Sequence, residues 1–109
     1  MPQLATVNFT TPLPDELVVR MSGEIDMSNA TELRGQIVDH VGINVTVWLD
    51  MTAITFCDSA GLSMLDSLAA EIGTDRVHVV AAADSPVMKI LTITGMNTVL
   101  RVHEQLPHR

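Results

Sequence analysis

The sequence predicts an α/β domain in which helices pack on a mixed, mostly parallel β-sheet. Five short apolar segments have the period of β-strands, three segments between the later strands have the period of helices, and turn residues separate them. The predicted order is ββαβαβαβ, and strand–helix–strand units place consecutive strands parallel in one sheet. At 109 residues, the whole chain, 1–109, is expected to form a single domain with a core over about residues 5–104.

Two strands are expected near the N-terminus, before any helix. Apolar and polar residues alternate over residues 5–9, and in residues 17–22 Leu17, Val19 and Met21 share one face, as in strands with a buried face. The stretch TPLPDE between them is typical of a turn, and its two prolines cannot donate to a strand ladder. Because this connection is short, the two strands are expected to pair antiparallel.

The first helix is predicted to begin at Asn29. Glu32 follows three residues later, a spacing typical of a capping box, in which two side chains satisfy free backbone N–H groups at the helix start. Gly42 is expected to end the helix. The apolar stripe with helical spacing that this helix should bury consists of Ala30, Leu33, Ile37 and Val41.

A third strand and a second helix follow. The stretch NVTVWLDM, residues 44–51, alternates as a strand does. The second helix is predicted to begin near Ser59 and to end at Gly73. The apolar residues at helical spacing along it are Leu62, Leu65, Ala69 and Ile72.

The last three elements are a strand, a helix and a strand. VHVVAAA, residues 77–83, has the continuous apolar character of an interior parallel strand. Ser85 followed by Pro86 is typical of a helix start. This third helix is expected to end at Gly95, before an alternating edge strand over residues 99–104. The residues it should bury are Val87, Ile90 and Leu91.

The composition restricts the classes of function. Six basic and thirteen acidic side chains give a formal charge of −7, which argues against a nucleic-acid binder and suits partners with positive patches. Cys57 is the single cysteine, so an internal disulfide is excluded and a reducing compartment is favoured. The N-terminal sequence does not resemble a signal peptide, and no apolar run is long enough for a membrane span. A cytoplasmic protein is therefore expected.

One stretch, TFCDSAGLSML (residues 55–65), places an acid and a hydroxyl where a strand becomes a helix. If the helix begins at Ser59, Asp58 is its N-cap, and its carboxylate accepts hydrogen bonds from free backbone N–H groups. Ser59 then lies in the first turn near solvent, at the helix end that best tolerates a phosphate. Gly61 permits close backbone approach there. The pattern indicates either a helix cap or a serine presented for modification.

A catalytic serine is a third interpretation, and the sequence argues against it. The nucleophile elbow has the pattern G-x-S-x-G, whereas residues 57–61 read CDSAG and lack the first glycine. A hydrolase of this type also needs a histidine base and an oxyanion hole. His78 lies in a predicted strand, and His103 and His108 lie near the C-terminus. An enzyme is therefore not predicted.

Metal and cofactor sites are not predicted either. The histidines at positions 40, 78, 103 and 108 lack metal-ligand spacing, and a single cysteine cannot form a thiolate cluster. Neither a Walker-type nor a dinucleotide-binding glycine pattern is present. Cys57 is expected to be a small apolar residue at a strand end.

The stretch LDMTAITFCDSAGLSML, residues 49–65, resembles the signature of STAS domains, and specifically of the small bacterial anti-sigma factor antagonists. In that signature a strand leads into an Asp-Ser-x-Gly-Leu sequence that opens a helix. SGEID, residues 22–26, resembles the Gly-Glu-Leu-Asp motif after the second strand. SPVMKILTITGM, residues 85–96, resembles the third helix of the family. The resemblance covers roughly residues 5–104 in the expected order of elements.

The resemblance implies a phosphorylation switch. In such proteins the serine after the aspartate, Ser59 here, is phosphorylated by the anti-sigma factor, which is itself a serine kinase, and a serine phosphatase reverses the modification. The unphosphorylated antagonist binds the anti-sigma factor and frees the sigma factor, whereas the phosphorylated form cannot bind. The resemblance therefore implies a partner-binding surface made of Glu24, Asp26, Asp58, Ser59, Ala60 and Gly61.

The sequence departs from the family pattern at two places. Ala60 stands where many members carry a second hydroxyl, which leaves Ser59 as the candidate in this loop. Members usually continue into a C-terminal helix, whereas this sequence ends in HEQLPHR. We therefore expect that the sheet face is covered in a different way, or that it carries an apolar patch that a partner or a second copy covers in a homodimer. An alternative function is a STAS scaffold subunit of a transporter or signalling complex that works without phosphorylation.

Overall fold

Five strands form one mixed sheet in the computed structural model, which describes residues 5–107. They are β1 (Ala5–Thr10), β2 (Glu16–Ile25), β3 (Thr46–Cys57), β4 (Val77–Val80) and β5 (Arg101–His103). The strands lie side by side in chain order. The first pair is antiparallel and the other three pairs are parallel, as the sequence predicts.

Three helices connect the parallel strands and confirm the order ββαβαβαβ. They are α1 (Ala30–His40), α2 (Ser59–Ile72) and α3 (Pro86–Thr94), and a 3₁₀ turn over Met96–Thr98 precedes β5. Each crossover moves one strand further in the same direction, and such crossovers are right-handed, so all three helices lie on the same face of the sheet.

Neighbouring residues in the central strands belong to two different hydrophobic clusters, because their side chains point to opposite faces of the sheet. The main core joins the helices to strand residues such as Val19, Leu49 and Val79, all fully buried. On the opposite face, which carries no helix in the described chain and which we call the open face, a smaller cluster is formed by Val18, Trp48, Val80 and Leu106.

At this smaller cluster the sheet face is covered by the chain itself, the first of the two alternatives that the sequence left open. Leu106, in the segment after β5, is 5% exposed, and Trp48 beneath it is 8% exposed. The C-terminal segment within the described residues therefore shields the apolar part of the open face.

The third strand extends well beyond the predicted residues 44–51 and ends at Cys57. Every residue from Val47 to Met51 is buried, whereas beyond Met51 the buried residues are Ile54 and Cys57, three positions apart. Two register shifts interrupt its pairing with β2 over the same stretch. A shift of this kind changes the face to which the following side chains point. The strand therefore loses its two-residue period, and the sequence pattern does not show where it ends.

The last two strands are shorter than predicted. β4 ends at Val80 rather than at residue 83, although the N–H of Ala81 still donates to the carbonyl of His103 at 2.9 Å. The chain then turns, since the N–H of Ser85 donates to the carbonyl of Ala82 at 3.1 Å. β5 lies at the sheet edge, as predicted.

Most of the predicted helix ends are confirmed. Gly73 and Gly95 cap α2 and α3 with φ angles of 126° and 78°, in the range that favours glycine. The hydroxyl of Ser85 accepts a hydrogen bond from the N–H of Met88 at 3.2 Å, with Pro86 in the first turn. α1 ends at His40 with Val41 as its extended cap, so the predicted Gly42 lies one residue beyond the cap.

The buried stripes of α1 and α3 largely match the prediction, and that of α2 differs in part. Leu65 and Ala69 are buried in α2, but Leu62 and Ile72 are only half-buried. The remaining buried residues of α2 are Gly61, Met64 and Leu68. Val41 after α1 and Ile90 in α3 are half-buried as well.

Candidate functional site

The carboxyl ends of β2 and β3 bring two separate segments of the chain together. Glu24 pairs with Phe56 and Ile25 pairs with Cys57 in the parallel ladder. The N–H of Asp58 then donates to the carbonyl of Ile25 at 3.4 Å. Because parallel strands end at the same edge of the sheet, the segments after β2 and after β3 lie side by side. The residues that the resemblance assigns to a partner surface all lie in or next to these two segments.

Asp58 caps α2, as the sequence predicts. Its Oδ1 accepts hydrogen bonds from the N–H of Ala60 at 2.9 Å and the N–H of Gly61 at 3.4 Å. Both N–H groups belong to the first turn and have no partner within the helix. The carboxylate is a fixed negative charge at the positive end of the helix dipole, where it stabilises α2.

Ser59 is the first residue of α2 and is exposed. Within residues 5–107 its hydroxyl makes no hydrogen bond, so nothing described holds it away from an approaching enzyme. Its position beside the Asp58 carboxylate means that a phosphate there would lie against an existing negative charge. The hydroxyl is accessible for modification.

The segment after β2 is held in place by Asn29. Its Oδ1 accepts a hydrogen bond from the N–H of Asp26 at 3.0 Å, and its Nδ2 donates to the carbonyl of Glu24 at 2.9 Å. The side chain therefore turns back toward the strand and forms no cap hydrogen bond with α1. The capping box predicted from Asn29 and Glu32 is wrong, although the helix does begin there.

Asp26 closes a small turn at the same place. Its Oδ1 accepts hydrogen bonds from the hydroxyl of Ser28 at 2.6 Å and from the N–H of Ser28 at 2.8 Å. These two donors, the hydroxyl first, lower the pKa of the Asp26 carboxyl below its ordinary value of 3.8, against a smaller opposing effect of burial. Asp26 therefore contributes a negative charge at neutral pH, next to the exposed Glu24.

Gly61 lets α2 start directly above the end of β3. A Cβ atom at this position would lie 2.5 Å from Sγ of Cys57 and 3.2 Å from Cγ2 of Ile25. The contact explains why the first turn carries a glycine. Burial, and secondarily the charge of Asp58, raise the pKa of the Cys57 thiol from 9.0 to about 11, so it is a protonated packing residue at neutral pH.

A groove of about 390 Å³ runs between α1 and α2 beside Ser59. Met27, which is 85% exposed, lies at one end of it, and Ala60 and Ser63 of α2 line it. Arg34 lines it from α1, where its Nε donates to Ser67 Oγ at 2.6 Å and its guanidinium forms an ion pair with Glu71. Sequence patterns did not indicate Met27 or Arg34, because their place in this groove depends on how α1 and α2 pack.

The family of the chain follows from its match to the model of the STAS domain, which covers residues 8–107. The chain belongs to the STAS domain family. The Asp58–Gly61 turn, with its aspartate cap and its exposed serine, is the part of this STAS domain that the sequence resemblance singled out.

Solved structures share this fold. An anti-sigma factor antagonist from Mycobacterium paratuberculosis has 25% sequence identity and a TM-score of 0.83, over 95% of this chain and 89% of that chain. SpoIIAA in its unphosphorylated form has 16% identity and a TM-score of 0.63, over 94% and 92%. The Bacillus cell fate determinant SpoIIAA in its phosphorylated form has 18% identity and a TM-score of 0.61, over 92% and 93%. At these identities the two SpoIIAA structures show the fold.

The described part of the STAS domain offers neither a metal-binding cluster nor a membrane helix. Within residues 5–107, no group of three or more His, Cys, Asp or Glu side chains could hold a metal ion. No helix of the same range is long and apolar enough to cross a membrane.

Proposed function

We propose that this STAS domain is an anti-sigma factor antagonist that binds an anti-sigma factor kinase and is inactivated when that kinase phosphorylates Ser59. The observation that carries the proposal is the exposed Ser59 hydroxyl, which makes no hydrogen bond within the described residues, beside the capping carboxylate of Asp58. The likeness to an anti-sigma factor antagonist and to the two forms of SpoIIAA supports the same role.

The proposed partner surface joins Glu24 and Asp26 on one segment to the Asp58–Gly61 turn on the other. Three carboxylates give this surface a negative potential, which favours a partner with a basic patch. Phosphorylation of Ser59 adds a charge of about −1.5 to −2 to this already negative surface. Arg34, in the adjacent groove, is already bound to Ser67 and Glu71. The added phosphate therefore disrupts an interface through repulsion and changed shape, while the α2 cap remains.

The proposal describes a binding module. It assigns catalysis to the partners: a serine kinase that adds the phosphate and a serine phosphatase that removes it. The domain needs no cofactor or nucleic-acid contact for this role, and it acts in the cytoplasm, where sigma factors are controlled. Regulation of transcription, including stress responses, follows from exchange of the anti-sigma factor between two partners.

Mass spectrometry tests the modification. The intact mass of the chain isolated from its native host is measured, and the peptide over residues 56–65 is mapped. A phosphate on Ser59 is expected, together with its loss in Ser59→Ala. Ser63→Ala is the matched control, because Ser63 is also exposed on α2, one turn further along. Undiminished labelling in Ser59→Ala would move the site elsewhere.

Affinity capture tests the partner. Ser59→Ala is expected to retain a kinase-type protein from the host extract, whereas Ser59→Glu is expected to retain much less. Ser63→Glu adds the same charge one helical turn away and controls for a general charge effect. Equal capture by Ser59→Ala and Ser59→Glu would contradict the switch.

A phosphorylation-independent scaffold is the second candidate. The observation that favours it is the cap itself, since the hydrogen bonds from Ala60 and Gly61 to Asp58 explain why an acid stands there without any modification. An unmodified Ser59 in every growth condition, together with a partner that lacks kinase activity, would favour this candidate. A homodimer stays a prediction for either role, and light scattering after size-exclusion chromatography measures it.

A further inference from the structure

Three aromatic rings lie together on the open face, far from the Ser59 turn in the sequence. Trp48 of β3 pairs in register with His78 of β4, and their rings stack at 4.2 Å with an interplanar angle of 17°. The ring of His103, from β5, lies 5.0 Å from that of Trp48. His78 Nδ1 and His103 Nε2 are 2.9 Å apart, which is hydrogen-bond distance.

This contact between two imidazoles depends on their protonation. A neutral ring has one N–H donor and one acceptor, so the hydrogen bond requires one nitrogen to donate and the other to accept. A single added proton is compatible with the contact, because a cationic donor can still face a neutral acceptor. When both rings are protonated, two N–H donors and two positive charges face each other, and the contact is lost.

The charged groups around the pair favour the neutral form of His78. Burial, then the neighbouring His103, then Arg101 on β5 lower the pKa of His78 below its ordinary value of 6.5, and Glu16 on β2 acts in the opposite direction. Further along the same face, Asp50 of β3 is paired with Arg20 of β2 at 3.5 Å.

The segment after β5 begins directly beyond His103. Its exposed Glu104 is the nearest acidic side chain in sequence to the pair. Two residues later, Leu106 packs with Val18, Trp48 and Val80. Trp48 thus contacts both histidine rings and belongs to the same cluster as Leu106. Its buried Nε1 has no hydrogen-bond partner within the described residues. An indole donor without a partner gains a hydrogen bond as soon as water reaches it, so the covered state is poised to open.

We propose that His78 and His103 form an acid-sensitive clasp that holds the segment over residues 104–107 against Trp48, and that protonation of both rings releases this segment from the open face. When the clasp opens, the two imidazole rings move apart, and the indole of Trp48 loses its packing against Leu106. Opening uncovers an apolar surface on the face opposite the helices. This device is independent of Ser59, so its failure leaves the phosphorylation switch untouched.

The direction of the pH effect follows from linkage. Because the pKa of His78 is lower in the folded chain than in the unfolded chain, the clasp is complete above the ordinary histidine value of 6.5 and weakens as the pH falls below it. The covered state therefore prevails at neutral pH, and the released state gains population under mild acid.

Fluorescence of Trp48 tests the clasp, because the chain has one tryptophan. Acrylamide quenching is measured from pH 8 to pH 5, with far-UV circular dichroism recorded at each pH. Quenching is expected to rise at least twofold with a red-shifted emission while the circular dichroism is unchanged. The double variant His78→Gln and His103→Gln is expected to remove this transition. His40→Gln, on α1, is the matched control and should retain it.

Quenching that does not change with pH in the wild type would overturn the proposal. So would the same transition in the double variant, or a transition that coincides with loss of circular dichroism. If the double variant does not fold, Leu106→Ala is measured instead. Acrylamide should quench its Trp48 strongly already at pH 8, and quenching as low as in the wild type would overturn the proposal. NMR titration of the imidazole Cε1–H signals gives a further readout. A midpoint for His78 below the ordinary value of 6.5 is expected, and a midpoint at that value would overturn the clasp.

Discussion

Sγ of Cys57 occupies the space that a side chain at Gly61 would need, since a Cβ there would lie 2.5 Å from the sulfur. This contact fixes the start of α2 close to the end of β3. It therefore also fixes the position of Ser59, the first residue of α2. Two contacts therefore hold the turn that carries Ser59: the packing of the Cys57 thiol against Gly61 and the hydrogen bonds of the Asp58 cap.

Gly61→Ala is expected to destabilise the fold. Overpacking against the sulfur costs about 1–3 kcal/mol of stability, whereas the better helix propensity of alanine adds at most about 1 kcal/mol. The steric cost is therefore the larger effect. Cys57→Ala removes the sulfur, and the double variant should be more stable than the sum of the two single changes predicts. Urea unfolding of the four proteins measures the coupling. If Gly61→Ala has the same cost in both backgrounds, the contact does not limit this position.

Asp58→Ala and Asp58→Asn separate the cap from the charge. Alanine removes the acceptor for the N–H groups of Ala60 and Gly61 and should cost about 1 kcal/mol, whereas asparagine keeps an Oδ1 acceptor and should cost less. Both variants remove the negative charge from the proposed partner surface. Asp58→Asn should therefore weaken partner binding with little loss of stability. Asp66→Asn, an exposed acid on the same helix, is the control, and an equal loss of binding there would argue against a specific role.

Asn29→Ala should loosen the segment that carries Glu24 and Asp26. It removes two hydrogen bonds to that segment, each with a net contribution of about 1 kcal/mol, so the midpoint of urea unfolding should fall. Asn29→Asp keeps an acceptor for the N–H of Asp26 and should lose about half as much. Hydrogen exchange of the Asp26 amide reports the local effect. Unchanged protection of this amide in Asn29→Ala would contradict the tether.

Alkaline pH should destabilise the chain through Cys57. The folded pKa of about 11 exceeds the ordinary value of 9.0, so the stabilising contribution of the protonated thiol is complete below pH 9.0 and is lost as the pH rises toward 11. The sequence contains no tyrosine, which removes one other group that titrates in this window. Unfolding midpoints at pH 8 and pH 10.5 should differ more in the wild type than in Cys57→Ala. An identical pH dependence in both proteins would assign the effect to other groups.

Local chemistry explains the predictions that the structure confirms. Ser85 and Pro86 start α3, and Gly73 and Gly95 end α2 and α3, because each acts within one turn of its own position. The same locality made Asp58 recognisable as a cap. Asn29 shows the limit of this reasoning: its pattern fitted a capping box, but its side chain instead bonds the carbonyl of Glu24 at the end of β2 and the N–H of Asp26 just after it.

Features that join distant residues depended on the packed sheet. The full length of β3 depends on two register shifts against β2, and these are set by pairing between strands, which periodicity within one strand does not show. The groove beside Ser59 exists because α1 and α2 pack together, and Arg34 reaches Ser67 and Glu71 across it.

The sequence by itself determined the order of elements, the α/β class, the STAS resemblance and the Asp58-Ser59 turn, because alternation, caps and glycines act over a few neighbouring residues. Only the tertiary structure decided which segments meet: Glu24 beside Phe56, Gly61 on Cys57, and His78 beside His103. Such contacts depend on strand register and on the face to which each side chain points, and both are fixed by the packing of the whole sheet.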